Sequence, residues 1–339
     1  MPRGVSVEPL SRALDGDSGW IADHLGRVAG ETLQSFLALN TALMDSGVVL
    51  RVARGIAVER PIEIVFVSGL TDRPIMVSPR NLILIEEGAS ATVVIHHVGL
   101  GAGAYFVNGA TEVDVRDGGA LRHYTVEAES IDATNLATTH VRVGRDAHYE
   151  SFGLAVGGRL SRSEVSIRLA ASGASCKLNG AYLMRGAEHC DNTTVIEHLA
   201  PHTSSREVFK GVLDDESRAV FQGRIVVHKG AQKSDGHQVS KALLLSAGAE
   251  IDQKPELEIY ADDVKCSHGA AAGQLDAAQL FYLRSRGIPE ALARNLLVQA
   301  FLAEAVEEVS VEAVRDAMMD KVVHWLPAQC YLHEQWRGR

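Results

Sequence analysis

At 339 residues the chain is long enough for one extended domain or for about two to three compact ones. A hydrophobic share of 46% beside a charged share of 22% is that of an ordinary soluble globular protein. A formal net charge of −10 argues against nucleic-acid binding, because scattered Lys and Arg do not offset phosphate repulsion.

The four cysteines, Cys176, Cys190, Cys266 and Cys330, are widely spaced, and the N-terminus has no secretory apolar region. They read as reduced thiols in a cytoplasmic protein. No apolar run approaches the roughly 20 residues that span a bilayer, so no membrane is expected.

Residues 1–47 read as a short helical region. Trp20, Ile21, Leu25, Val28, Leu33, Phe36, Leu37 and Leu39 recur at three- and four-residue spacings, broken by Gly26 and Gly30. From about Val48 the period becomes two. The stretches VVLRVARGIAVERPIEIVFVSG and NLILIEEGASATVVIHHV are β-branched runs punctuated by Gly and Pro, as strands are.

A repeat follows. Second strands of a strand–turn–strand unit open at Gly88-Ala89, Gly119-Ala120, Asp146-Ala147, Gly173-Ala174, Arg218-Ala219 and Gly248-Ala249. The steps are near 30 residues, with one longer step before Ala219 that reads as an insertion. Preceding strands match as TEVDV at Thr111, THVRV at Thr139 and SEVSI at Ser163. Such a period favours stacked coils, each burying its apolar face on its neighbours, over a β-sandwich.

After Gly273 helical spacing returns. Asp276 suits an N-cap for AAQLFYLRSR and Gly287 a C-terminal stop. Pro289 suits the start of a second helix, and Ser310 the cap of a third that Pro327 ends. These read as an amphipathic three-helix unit. Its aromatics Phe281, Tyr282 and Phe301 are core or docking surface, core being the ordinary reading.

No GxxxxGK[ST] loop, helix-opening GxGxxG, GxSxG, HExxH or paired CxxC is present, so ATP chemistry would belong to another subunit. Asp262 and Asp263 read as a solvated or turn-forming acidic pair, and Glu256 and Glu258 as the outward side of a strand. His189 and Cys190 are adjacent and so point apart; His228 and His237 read as loop residues. Cys266 and His268 lie two apart, which puts both side chains on one face of an extended strand. That is geometry for two ligands of one metal, or for a packed thiol beside a surface imidazole.

The segment VFQGRIVVHKGAQKSDGHQVSKALLLSAGAEIDQKPELEIYADDVKCSHGAAAGQLDAAQLFYLRSRGI, Val220 to Ile288, resembles the SufB/SufD family of iron–sulfur cluster assembly proteins. FQGRI, AQKSD, the LLLS run, P-x-LEIYADDVKCSHGA and LFYLRSRGI carry the likeness over about 70 residues; the upstream repeats match more loosely. The resemblance implies a mainly β fold, a right-handed parallel β-helix core over residues 48–272 between the N-terminal helical region and a C-terminal helical domain, 273–339. It implies a cytoplasmic, non-catalytic scaffold subunit working with a SufB-like subunit and a SufC-like ABC ATPase. The ATPase would dock on the helical domain, where Phe281, Tyr282, Arg284 and Arg286 are the candidate contacts.

DVKCSHGA is similar to the SufD form, in which the matching imidazole, His268, is a candidate cluster-assembly residue at the SufB–SufD interface, with Cys266 beside it. Where SufB carries a cysteine, this chain has Ser240, and its first cysteine is Cys176. It is short for SufD, mostly at the N-terminus. Thiolate and imidazole suit iron, but two donors complete no cluster, so the implied cargo is a transient iron or iron–sulfur cluster shared with the partner. None is expected to be held tightly by this chain alone. An exposed β-helix edge would also invite homodimers. The alternatives are a purely structural adaptor and a β-helical carbohydrate-active enzyme, which an aromatic share of 5% does not encourage.

Overall fold

The computed structural model describes residues 2–16, 19–29, 34–69, 73–101 and 103–327. Gly30, Leu33 and Cys330 lie outside these residues.

The chain opens with a strand, β1 (Val5–Pro9), and three short helices, α1 (Leu10–Asp15), α2 (Gly19–His24) and α3 (Ser35–Leu43). Then come β2 (Val48–Val52), β3 (Ile62–Ser68), β4 (Ile75–Val77), β5 (Arg80–Ile85), β6 (Ser90–Gly99), β7 (Tyr105–Val115), β8 (Ala120–Ala128) and β9 (Thr134–Val143). Strands β10 (His148–Ala155), β11 (Leu160–Leu169), β12 (Ser175–Met184), β13 (His189–His198) and β14 (Ser204–Leu213) continue the series. It ends with β15 (Arg218–Val227), β16 (Asp235–Leu244), β17 (Glu250–Ile259) and β18 (Lys265–Gly273). Helices α4 (Ala277–Ser285), α5 (Glu290–Val306) and α6 (Glu312–Trp325) close the described chain.

From β5 onward successive strands alternate between two sheets. One runs β1-β2-β5-β7-β9-β11-β13-β15-β17, with β4 beside β7; the other runs β18-β16-β14-β12-β10-β8-β6-β3. Every pairing is parallel except β1 with β2. The fold is the expected parallel β-helix. The N-terminal region is not wholly helical, because β1 completes the edge of the first sheet.

The register corrects the repeat. In the second sheet, Ser90, Ala120, His148, Ser175, Ser204 and Asp235 stand in line. The corner residues just before them are Ala89, Gly119, Ala147, Ala174, Thr203 and Ser234, at steady steps of about 30 residues. No coil carries an insertion. The alanine series leaves the second sheet after Ala174 and resumes in the first at Ala219. The corner requires only a small, buried residue, and Thr203 and Ser234 meet that as alanine does. TEVDV and THVRV are in register, whereas SEVSI is displaced by two residues on the same face.

The middle of the second sheet is buried on both sides. In β8, Tyr124 and Val126 point outward into a core shared with Val298, Leu302, Val306, Val309, Met318 and Val322 of the C-terminal helices. Each such side chain contributes about 1.5–3 kcal/mol by leaving water. The alternate residues of the same strand, His123, Thr125 and Glu127, face the interior around a chamber of about 60 Å³. Ser151, Ser161, Ser163 and Asn192 line it too. Much of the remaining interior is apolar, with Ile83, Val93, Val113, Val141, Ile167, Ile196 and Ile225 among its members.

Two polar contacts fasten α5 and α6 to this outer face. Buried Lys210 reaches Glu304, donates to the Phe301 carbonyl at 2.8 Å and lies 4.6 Å from the Phe301 ring centre. Glu150 accepts from the Tyr124 hydroxyl, from the Ser310 hydroxyl and from the Ser310 backbone N–H at 3.1 Å. Ser310 therefore serves Glu150, and the N-cap position of α6 falls to Val311. Asp276 caps α4 as expected, accepting from the N–H groups of Ala278 and Gln279, and Gly287 follows the helix at φ +84°. Yet α4 buries none of its residues, so the tail is a packed helix pair plus one exposed helix.

Candidate functional site

Both sheets stop at the C-terminal end of the solenoid. β17 pairs only with β15, and β18 only with β16, so each terminal strand leaves one edge without a strand partner among the described residues. Cys266 and His268 lie on β18 and, two apart, share its inward face. Cys266 is half-buried and packs against the apolar core, and burial pushes its thiol up from the ordinary value. His268 is exposed at the mouth of the coil.

Behind His268 runs a column of inward-facing polar residues. His268 is in register with Gln238, and Gln238 with Glu207. Gln238 and Glu207 are buried. The Gln238 amide donates to Glu207 Oε2 at 2.6 Å, and the Thr194 hydroxyl to Oε1 at 2.6 Å. Burial pushes the Glu207 carboxyl up to about 7, against the pull of those two hydrogen bonds. Among the described residues the Gln238 carbonyl oxygen, Oε1, is buried without a hydrogen-bond partner. Beside it Ser240 accepts from the Gln253 amide at 2.8 Å.

Other sequence candidates go elsewhere. Asp262 and Asp263 sit in the turn before β18, where Asp263 pairs with Lys233, so they flank no groove. His189 and Cys190 point apart, with Cys190 buried in a small apolar cluster. His237 lies inside β16 rather than in a loop, bonded to Ser267. His228 follows β15 and reaches Glu197 at 3.2 Å. Among the described residues no three His, Cys, Asp or Glu side chains converge on a metal position.

Helix α4 presents a second surface. Phe281 is 72% exposed and Tyr282 58%, so the core reading of these two aromatics is wrong. Arg286 lies over the Tyr282 ring at 5.1 Å, and Arg284 pairs with Glu290 at 3.2 Å. Phe301 is half-buried against the outer core. Among the described residues no helix is long and apolar enough to cross a membrane.

The family described as SUF system FeS cluster assembly, SufBD core domain, matches residues 67–301, and the SufBD protein N-terminal region matches residues 1–64. This chain belongs to the SufBD family. It is 32% identical to the iron–sulfur cluster assembly protein SufD of Escherichia coli, over 96% of this chain and 78% of that one. A SufBD family protein of Synechocystis is 30% identical over 93% and 71% of the two chains. SufD of Bacillus subtilis is 30% identical over 84% and 65%. The chain is thus an iron–sulfur cluster assembly protein of SufBD type.

Sequence reasoning missed Gln238, Glu207 and Thr194. The available signal was parity: Gln238 is an even number of residues from Ser240, on the inward side of β16, where a long amide needs a partner.

Proposed function

We propose that this chain is a SufD-type, non-catalytic scaffold subunit whose open solenoid end joins a SufB-like subunit. In this reading His268 holds iron or a nascent cluster at the junction. The observation that carries it is the position of His268: exposed, inward on the last strand, between two strand edges that have no partner strand. Unpaired parallel edges are templates for another chain's strands. Imidazole is a suitable iron ligand, and Cys266 is the nearest soft donor. Its raised thiol and its packing make it the lesser of the two. Two donors do not fill an iron or cluster coordination sphere, so the partner supplies the rest. A SufC-like ATPase docks on α4, where exposed Phe281 and Tyr282 with Arg284 and Arg286 offer an aromatic and cationic face.

The test is co-expression with SufB-like and SufC-like partners, and measurement of iron and cluster bound to the purified complex for wild type and His268→Ala. We expect the variant complex to assemble with markedly less iron. Undiminished cluster yield would leave only an adaptor role and overturn the ligand assignment.

A further inference from the structure

We propose that Gln238 is a positioning residue for His268: its side-chain carbonyl accepts the inward ring N–H and turns the other ring nitrogen, with its lone pair, toward the partner. This rests on the reading of His268 as an iron ligand and adds the device that aims it.

The argument starts from an unmade hydrogen bond. Gln238 is wholly buried, its amide N–H is committed to Glu207, and Oε1 has no partner. A buried acceptor left unpaired costs about 1–3 kcal/mol, so such an atom is normally found beside a donor. The next residue outward in the same column is His268, on the adjacent strand and in register. In-register residues of neighbouring parallel strands project to the same side. A histidine ring carries the donor that Oε1 lacks.

The orientation of the amide is fixed from behind. Ionised Glu207 accepts only, so it draws the Gln238 nitrogen and turns the oxygen away. Glu207 is in turn held by the Thr194 hydroxyl. Space for the amide comes from Gly223, where an added Cβ would lie 1.8 Å from Gln238 Nε2. The column Thr194–Glu207–Gln238 is therefore a rigid support that ends at one imidazole. Ligating histidines commonly donate their second N–H to a carbonyl or carboxylate, which sets the tautomer and ring direction.

The test uses the full chain carrying Gln238→Met, which keeps the length and removes the acceptor. Gly153→Ala is the control, because a Cβ at Gly153 of β10 meets nothing within 4 Å and lies outside the column. Ring ¹⁵N spectra, with the His268 signals identified by their loss in His268→Ala, report the tautomer directly. We expect one dominant His268 tautomer in wild type and in Gly153→Ala, and the mixture of a free imidazole in Gln238→Met. In the assembled complex, Gln238→Met should weaken iron retention about tenfold or more while Gly153→Ala retains it. Coincident ring spectra for wild type and Gln238→Met would overturn the proposal. If His268→Ala lost iron at the same time, the ligand reading would survive it. Undiminished iron in His268→Ala would instead remove the ligand reading, whatever the ring spectra show.

Discussion

Gly223 on β15 leaves the space that the Gln238 side chain of β16 fills. A Cβ there would also stand 2.8 Å from the Phe221 ring, so neither neighbour has room to yield.

Gly223→Ala is therefore expected to destabilise the chain by about 1–3 kcal/mol, the usual cost of overpacking a filled core. The urea midpoint measures it. Gly153→Ala is the comparison, since a Cβ at Gly153 meets nothing within 4 Å, and its midpoint should barely move.

The N-terminal region hangs on one carboxylate. Glu112 is fully buried, pairs with Arg80 at 2.5 Å, and accepts from the backbone N–H groups of Gly26, Val28 and Ala29. Arg80 also donates to Asn40 of α3 at 3.2 Å. Glu112→Ala strands a buried guanidinium, a change that costs about 3–5 kcal/mol. Hydrogen exchange should show α2 and α3 opening first, with the coils from β9 onward still protected. Uniform protection across the chain would contradict this anchoring.

The C-terminal helices have an anchor of the same kind. Burial pushes the Glu150 carboxyl up, but the Ser310 and Tyr124 hydrogen bonds and the nearby Arg122 charge outweigh it and hold it below its ordinary value. Its contribution is present above pH 4.5 and is lost as pH falls through its lowered value. Lys210→Met removes the second anchor. The double variant Glu150→Gln, Lys210→Met should release α5 and α6 to protease at neutral pH, whereas wild type releases them only on acidification. Equal resistance of the two proteins at pH 7 would refute the anchoring role.

Buried titratable groups of the interior make stability depend on pH in two opposing ways. Burial pushes Glu127 up to about 7. The folded state keeps that proton longer than the unfolded one, so this group's contribution falls as pH rises from about 4.5 to about 7. Burial holds His97 and His123 down at about 4, so their contribution is complete above 6.5 and is lost as pH falls toward 4. Glu127→Gln should thus gain on wild type by up to ~3 kcal/mol between pH 4.5 and pH 7. His123→Asn should gain on wild type in the acid direction. Denaturant melts at several pH values measure both, and parallel curves for wild type and Glu127→Gln would refute the buried titration.

The coil period and the helical tail are legible because each repeat must bury the same face on its neighbour, which forces strands of like length and small corner residues. The hop from Ala174 to Ala219 was mistaken for an insertion because Thr203 and Ser234 fill the same corners without being alanine. The polar interior was harder to read. In β8, alternation alone sends Tyr124 and Val126 inward and His123 and Glu127 to water. The structure does the reverse, because α5 and α6 cover the outer face and supply the apolar partners. Which face is the inside depends on helices far along the chain. Cys266 and His268 stood out as chemical types, whereas Gln238 gained meaning only when the register set it beneath His268.

The direction of β1 bears on how large an assembly this solenoid can build. A further parallel coil needs both sheets, and at the N-terminal end the outermost described strand of one of them has five residues and runs against its neighbour. The other end stops on two parallel strands with bare edges. Stacked parallel strands invite fibres; the reversal of one short strand gives the two ends of the solenoid unlike edges, which works against head-to-tail stacking of parallel coils.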